Sequence, residues 1–63
     1  MTQKELSYVE DAIGHVGNIS KILTESISNL EDEELIRFME EEKTMHDNLK
    51  STLMEKLKEK ANG

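Results

Sequence analysis

The apolar residues of this 63-residue chain form two long stripes with the spacing of a helix face. In the first stripe they recur every three or four positions from Leu6 to Leu30, and only Ser20 interrupts the alternation. The chain contains no proline, the residue that most often breaks a helix. The sequence therefore predicts an all-α fold with two long helices.

The second stripe predicts a helix with one apolar and one charged face. Its apolar positions are Leu35, Phe38, Met39, Met45, Leu49, Leu53 and Leu57. The opposite face is expected to carry Glu40, Glu41, Lys43, Lys50 and Lys58. This is the pattern of a helix with one side against a core and the other in water.

Capping residues indicate where the two helices begin and end. Thr2, followed three residues later by Glu5, has the pattern of a capping box. Asn29 suits the left-handed conformation that often ends a helix, and Asp32 suits the N-cap of the next helix. The expected organisation is one domain over residues 1–63, with helix 1 at about 3–29, a turn at about 29–32 and helix 2 at about 33–60. Such a short turn predicts an antiparallel hairpin.

A hairpin of this size cannot hide two wide apolar stripes by itself. A domain of about 60 residues buries only about 60% of the surface that its unfolded chain exposes. The chain has no cysteine, so disulfides cannot compensate. We therefore expect a two-fold homodimer that forms a four-helix bundle of ferritin-like or Rop-like architecture. The expected interface residues are Leu6, Val9, Ile13, Val16, Leu23, Leu35, Met39, Leu49 and Leu53.

Composition argues against several partners. The formal net charge is −6, which disfavours binding to nucleic acids and to anionic membranes. Tyr8 and Phe38 are the only aromatic residues, too few for base stacking. The first residues lack the apolar core of a signal peptide, so we expect a cytoplasmic location.

Glu42, His46 and His15 are the polar residues closest to the apolar stripes. Glu42 and His46 are one turn apart on the apolar face of helix 2, and His15 flanks the stripe of helix 1. One interpretation is a metal site in the bundle centre, although Lys43 stands where a Glu-x-x-His motif needs glutamate. The other is a hydrogen bond or ion pair that sets the helix register. No nucleophile accompanies the pair, so we expect no catalytic site and no enzyme activity.

Gly14 and Gly17 also depart from the helical pattern, since each costs about 1 kcal/mol relative to alanine inside a helix. They could form a smooth surface where another helix approaches closely. Alternatively, they are a tolerated stretch with no such contact.

The segment from Leu6 to His15 resembles the start of small ferritin-like proteins of the Coat F type, which are related to spore coats of endospore-forming bacteria. That family opens its first helix with a tyr-x-glu-asp-ala-leu-x-his segment, matched here from Tyr8 onward. A leu-x-asp-x-glu-leu segment is matched from Leu30 to Leu35, and a histidine of the second helix by His46. The resemblance implies ferritin-like helical hairpins and an association with the spore.

Taken together, these features predict a non-enzymatic structural or interaction protein, and the resemblance implies an association with the spore coat. We expect a homodimer without a cofactor. The alternatives are a ferritin-like metal-binding protein and a small sporulation-type regulator that docks one helix face onto another helical protein.

Overall fold

A computed structural model of the chain describes residues 1–62 and consists of two helices packed against each other. Helix α1 spans Gln3–Ile27 and helix α2 spans Glu33–Asn62, and the described residues include no strand. The molecule measures 46 × 15 × 11 Å along its principal axes. The predicted all-α hairpin is confirmed, and its length is that of the helices themselves.

Side chains cap the N-terminus of each helix. Thr2 Oγ1 accepts from the amide of Glu5 at 3.1 Å, and the amide of Thr2 donates to Glu5 Oε1 at 2.8 Å, which confirms the capping box. The backbone hydrogen bond from Thr2 favours the charged carboxylate and lowers the pKa of Glu5. Asp32 Oδ1 accepts from the amides of Glu34 and Leu35, as expected of an N-cap.

The end of α1 differs from the expectation. The helix ends at Ile27, and Ser28 closes it with φ −67° and ψ −15°. Within the described residues no side-chain-bearing residue has a positive φ, so the expectation of a left-handed Asn29 was wrong. Instead, Asn29 Nδ2 and Ser28 Oγ donate to the carbonyl oxygen of Glu25 at 2.9 and 2.7 Å. These side-chain bonds satisfy an end carbonyl without a left-handed residue.

The helices meet along one line of residues, which we call the seam. Its positions alternate by three and four in both helices, as in a coiled coil. Val16, with 9% of its surface exposed, is the most deeply buried member, and the others are half-buried. On α1 the seam comprises Leu6, Val9, Ile13, Val16, Ser20, Leu23 and Ile27, and on α2 it comprises Ile36, Met39, Lys43, His46, Lys50, Leu53 and Leu57.

The seam lies to one side of the apolar stripe predicted for α2. Lys43 and Lys50, which were expected on the outer charged face, are half-buried in the seam, so that expectation was wrong. Leu35 and Leu49 of the same stripe are exposed at 49% and 47%. The long lysine stems can cover apolar surface while their ammonium groups reach water. This orientation of α2 leaves four of the seven residues of its apolar stripe exposed, namely Leu35, Phe38, Met45 and Leu49.

Gly14 and Gly17 provide a matched pair of substitutions in α1. A Cβ added to Gly14 would meet nothing within 4 Å, whereas one added to Gly17 would lie 3.4 Å from Lys50 Nζ. We expect Gly14→Ala to raise the free energy of unfolding by about 0.5–1 kcal/mol, because alanine restricts the unfolded chain.

Urea denaturation followed by circular dichroism at one protein concentration measures this change. Gly17→Ala is the comparison variant and should stabilise by a similar amount, because its added Cβ would meet only the flexible end of the Lys50 side chain, at an ordinary contact distance. A destabilised Gly14→Ala would indicate that another helix packs closely there.

Candidate functional site

The most prominent surface feature is a row of uncovered apolar side chains on one side of the hairpin. Ile22 is 59% exposed, Phe38 57% and Met45 62%. We call this row the exposed apolar face. Its members are Tyr8, Ile19, Ile22, Leu35, Phe38, Met45 and Leu49.

Both helices contribute to the same side. The opposite flank of the seam holds a shallow groove where Glu10 and Gly14 of α1 meet Met54 and Lys58 of α2. Helical spacing places the members of the exposed apolar face on the other flank, away from this groove and from the exposed Met54 in it. The exposed apolar face is therefore one surface shared by α1 and α2.

The hairpin has almost no interior of its own. Among the described residues, Val16 is the only apolar side chain that is buried, and the rest of the seam is half-buried. The accessible surface is 5145 Å². A compact monomer of this mass would expose about 4,100 Å², so roughly 1,000 Å² is in excess. Much of the apolar surface remains in contact with water.

A polar group crosses the seam near its middle. Ser20 Oγ donates to Asp47 Oδ1 at 2.5 Å, and Lys43 Nζ lies 2.9 Å from Asp47 Oδ2. The hydrogen bond from Ser20 is the main cause that lowers the pKa of Asp47, followed by the bond from Lys43 and the charges of Lys43 and Lys50. The bond from Ser20 to Asp47 links the helices at one height, which sets their relative register.

The three predicted metal-site residues are dispersed. His46 Nδ1 lies 2.7 Å from the backbone oxygen of Glu42, and because a carbonyl can only accept, this nitrogen carries the proton. The bond therefore joins the ring to the backbone of its own helix. Glu42 is half-buried at the edge of the exposed apolar face, whereas His15 is exposed on α1.

The structure therefore does not assemble the predicted ligand set within one chain. Residues 1–62 contain no group of three or more histidine, aspartate or glutamate side chains placed to hold a metal ion. Metal binding by Glu42, His46 and His15 stays a prediction.

Neither helix, over its described length, is long and apolar enough to cross a membrane.

The predicted interface residues divide into two groups. Seven face the other helix of the same hairpin, and two, Leu35 and Leu49, lie on the exposed apolar face. The seven seam residues are Leu6, Val9, Ile13, Val16, Leu23, Met39 and Leu53.

Sequence reasoning missed the bond between Ser20 and Asp47. A signal was present, because Ser20 is the one polar residue in the apolar alternation of α1. Its partner could not be identified, since Asp47 belongs to neither apolar stripe of the sequence.

Comparisons with protein-family models, with curated proteins and with solved structures each find no match to the chain. Its function must therefore be inferred from its own residues.

The lowered pKa of Asp47 predicts a pH dependence of stability. The charged carboxylate stabilises the folded chain above the pKa of an unfolded aspartate, about 3.9, and this contribution disappears as the pH falls through the lower folded-state value. Asp47→Asn should therefore lose less stability than the wild type between about pH 7 and about pH 2.

The measurement is the urea midpoint at both pH values and one protein concentration. Asp11→Asn, at an exposed position of α1, is the control and should retain the wild-type pH dependence. An equal loss in Asp47→Asn and the wild type would contradict the prediction.

Proposed function

We propose that this chain is a non-enzymatic interaction protein whose hairpin pairs with a second copy through the exposed apolar face. The product is a four-helix bundle in which the seam and this face together form the core. The observation that carries the proposal is the set of exposed apolar side chains that α1 and α2 present on the same side of the hairpin.

The area of exposed surface is large enough for an interface with a second hairpin. The excess of roughly 1,000 Å² is close to the area of about 800 Å² that each partner buries in a stable protein interface. Burial of apolar area contributes about 25 cal/mol per Å² before the cost of association. The same surface left in water would favour aggregation.

A second copy fits this surface in composition. Ile19 and Ile22 on α1 and Met45 and Leu49 on α2 form a central apolar patch that can pack against itself, as a two-fold interface requires. Charged residues lie mainly outside the patch. A small regulator that docks onto a larger helical protein would use the same face, but it would remain a monomer alone. The family resemblance adds one element to this proposal, namely that the protein acts in association with the spore.

A charge placed in the central patch tests the proposed homodimer. Met45→Glu puts a carboxylate into the interface, where it would lose water without gaining a partner. We expect the dimer dissociation constant to rise by at least about 100-fold, equivalent to about 3 kcal/mol. Sedimentation equilibrium over a wide concentration range measures it.

Ser51→Glu is the matched control. It adds the same charge to an exposed position of α2 away from the face, and should leave the dissociation constant within about threefold. A wild-type chain that stays monomeric and folded at high concentration would overturn the homodimer. Equal effects of the two substitutions would show that the copies associate through another surface.

A further inference from the structure

We propose that the two hairpins of the homodimer stack with their loops at the same end, so that α1 of each copy packs along α2 of the partner subunit. This inference rests on the proposed homodimer and specifies its geometry. It follows from the uneven distribution of apolar residues along the exposed apolar face.

The contacts across the seam define heights along the hairpin. Ser20 lies beside Asp47, and Gly17 lies beside Lys50, so residue numbers at the same level add up to about 67. Each residue of α2 can therefore be assigned a height, which is the number of the α1 residue at its level. The hairpin extends from about height 3 at the termini to about height 31 at the loop, so its middle lies near height 17.

Six of the seven members of the exposed apolar face lie on the loop side of this middle. The two from α1 have heights 19 and 22, and the four from α2 have heights of about 18, 22, 29 and 32. In order of height they are Leu49, Ile19, Ile22, Met45, Phe38 and Leu35. The apolar part of the face is therefore concentrated in the loop half.

The terminal half of the same flank is mainly polar. Helical spacing continues the flank on α2 through Thr52, Lys56 and Lys60, and on α1 through His15 and Tyr8. All five side chains are exposed, and Tyr8 is the one member of the exposed apolar face among them. The face thus has an apolar end and a polar end.

A two-fold axis along the bundle places both loops at the same end and keeps every residue at its own height. The axis exchanges left and right, so α1 of each copy lies directly against α2 of the partner subunit. Ile19 then meets Leu49 of the partner subunit, and Ile22 meets the partner's Met45. Each pair occurs twice, as a two-fold interface requires. Apolar residues meet apolar residues, and the polar ends meet each other.

Opposed loops need a two-fold axis across the helices, which stacks each helix on its own counterpart. With the hairpins fully overlapped, the apolar half of each copy would cover the polar half of the other. Met45 would lie against Lys56 of the partner subunit, and Leu49 against the partner's Thr52. Sliding the copies until their apolar halves meet would leave about 20 Å of each hairpin unpaired. Burial of apolar surface therefore favours loops at the same end.

The charge of the loop halves does not outweigh this apolar match. Residues 20–46 carry eight acidic and three basic side chains, a net charge of −5. Seven of the eight carboxylates are exposed, where salt screens repulsion beyond about 8 Å at physiological ionic strength. Glu42, the half-buried exception, comes to the height of Ser26 of the partner subunit, whose hydroxyl can donate to the carboxylate.

Disulfide formation between two different cysteine variants tests which helices face each other. The chain has no cysteine, so Ile19→Cys and Leu49→Cys chains each carry one thiol. Facing residues on stacked helices have Cα atoms about 5–6 Å apart, within the range of a disulfide. An equimolar mixture oxidised with glutathione disulfide should form mixed covalent dimers in at least about tenfold excess over dimers of either variant with itself.

Opposed loops would instead join each variant to itself. Dimers of one variant that equal or exceed the mixed dimer would overturn the inference. Ser51→Cys mixed with Ile19→Cys is the matched control, because residue 51 is exposed on the other flank of α2 at nearly the same height as residue 49. This mixture should give no excess of the mixed dimer.

A distance between the two loops measures the orientation without changing the interface. Glu31→Cys gives one spin label at the exposed loop. Pulsed electron paramagnetic resonance of the full-length dimer should give a label separation below about 25 Å, because the two loops are one helix layer apart. A longer separation would overturn the inference, and opposed loops would give at least about 35 Å.

These outcomes are separable from failure of the proposed function. Sedimentation of the unlabelled wild type decides whether a dimer forms, and a monomer refutes both proposals. A stable dimer with a long distance between loops refutes the orientation alone.

Discussion

Two helices can cover each other along only one line, and every other feature of this protein depends on that limit. A helix that packs against a single neighbour buries only one narrow strip of its surface. The apolar face of each helix in this chain is wider than such a strip. The seam uses the residues that alternate by three and four, and those beside it remain in water. The hairpin therefore leaves much of its apolar surface exposed, which supports the proposed association with a second copy.

Polar residues in the seam decide the register in which the two helices pack. The bond from Ser20 to Asp47 joins the helices at one height, and Lys43 balances the charge of Asp47. Exposed ion pairs contribute little to stability, but a polar contact within an apolar seam discriminates between registers. That register determines where the side chains of α2 lie along α1. It therefore determines the shape of the surface that a second copy would meet.

Glu42, His46 and His15 show how one pattern supports different chemistry. A carboxylate and two imidazoles near an apolar stripe are compatible with a metal site, a register contact or an interface pair. Within the hairpin, His46 bonds to the backbone of its own helix, and His15 lies on a different level from Glu42. Glu42 is half-buried on α2 and His15 is exposed on α1, and the structure does not bring the two side chains together.

Much of the fold could be predicted because its causes are local in sequence. Apolar spacing identifies the helices, and the side chains of Thr2 and Asp32 select the starting residues through hydrogen bonds to nearby amides. The C-terminal end of α1 was harder to predict from the sequence. Ser28 and Asn29 close it by side-chain hydrogen bonds, where a left-handed residue was expected. Several cap geometries satisfy the same carbonyl groups.

The sequence by itself determined that there are two helices, where they start, and that together they carry more apolar surface than a hairpin can hide. Only the tertiary structure decided which apolar residues fill the seam and which stay uncovered. The rotation of α2 about its axis brings Lys43 and Lys50 inward and leaves Leu35 and Leu49 outside. That rotation depends on contacts between residues about 27 positions apart, such as Ser20 and Asp47, and a periodic pattern within one helix contains no information about them.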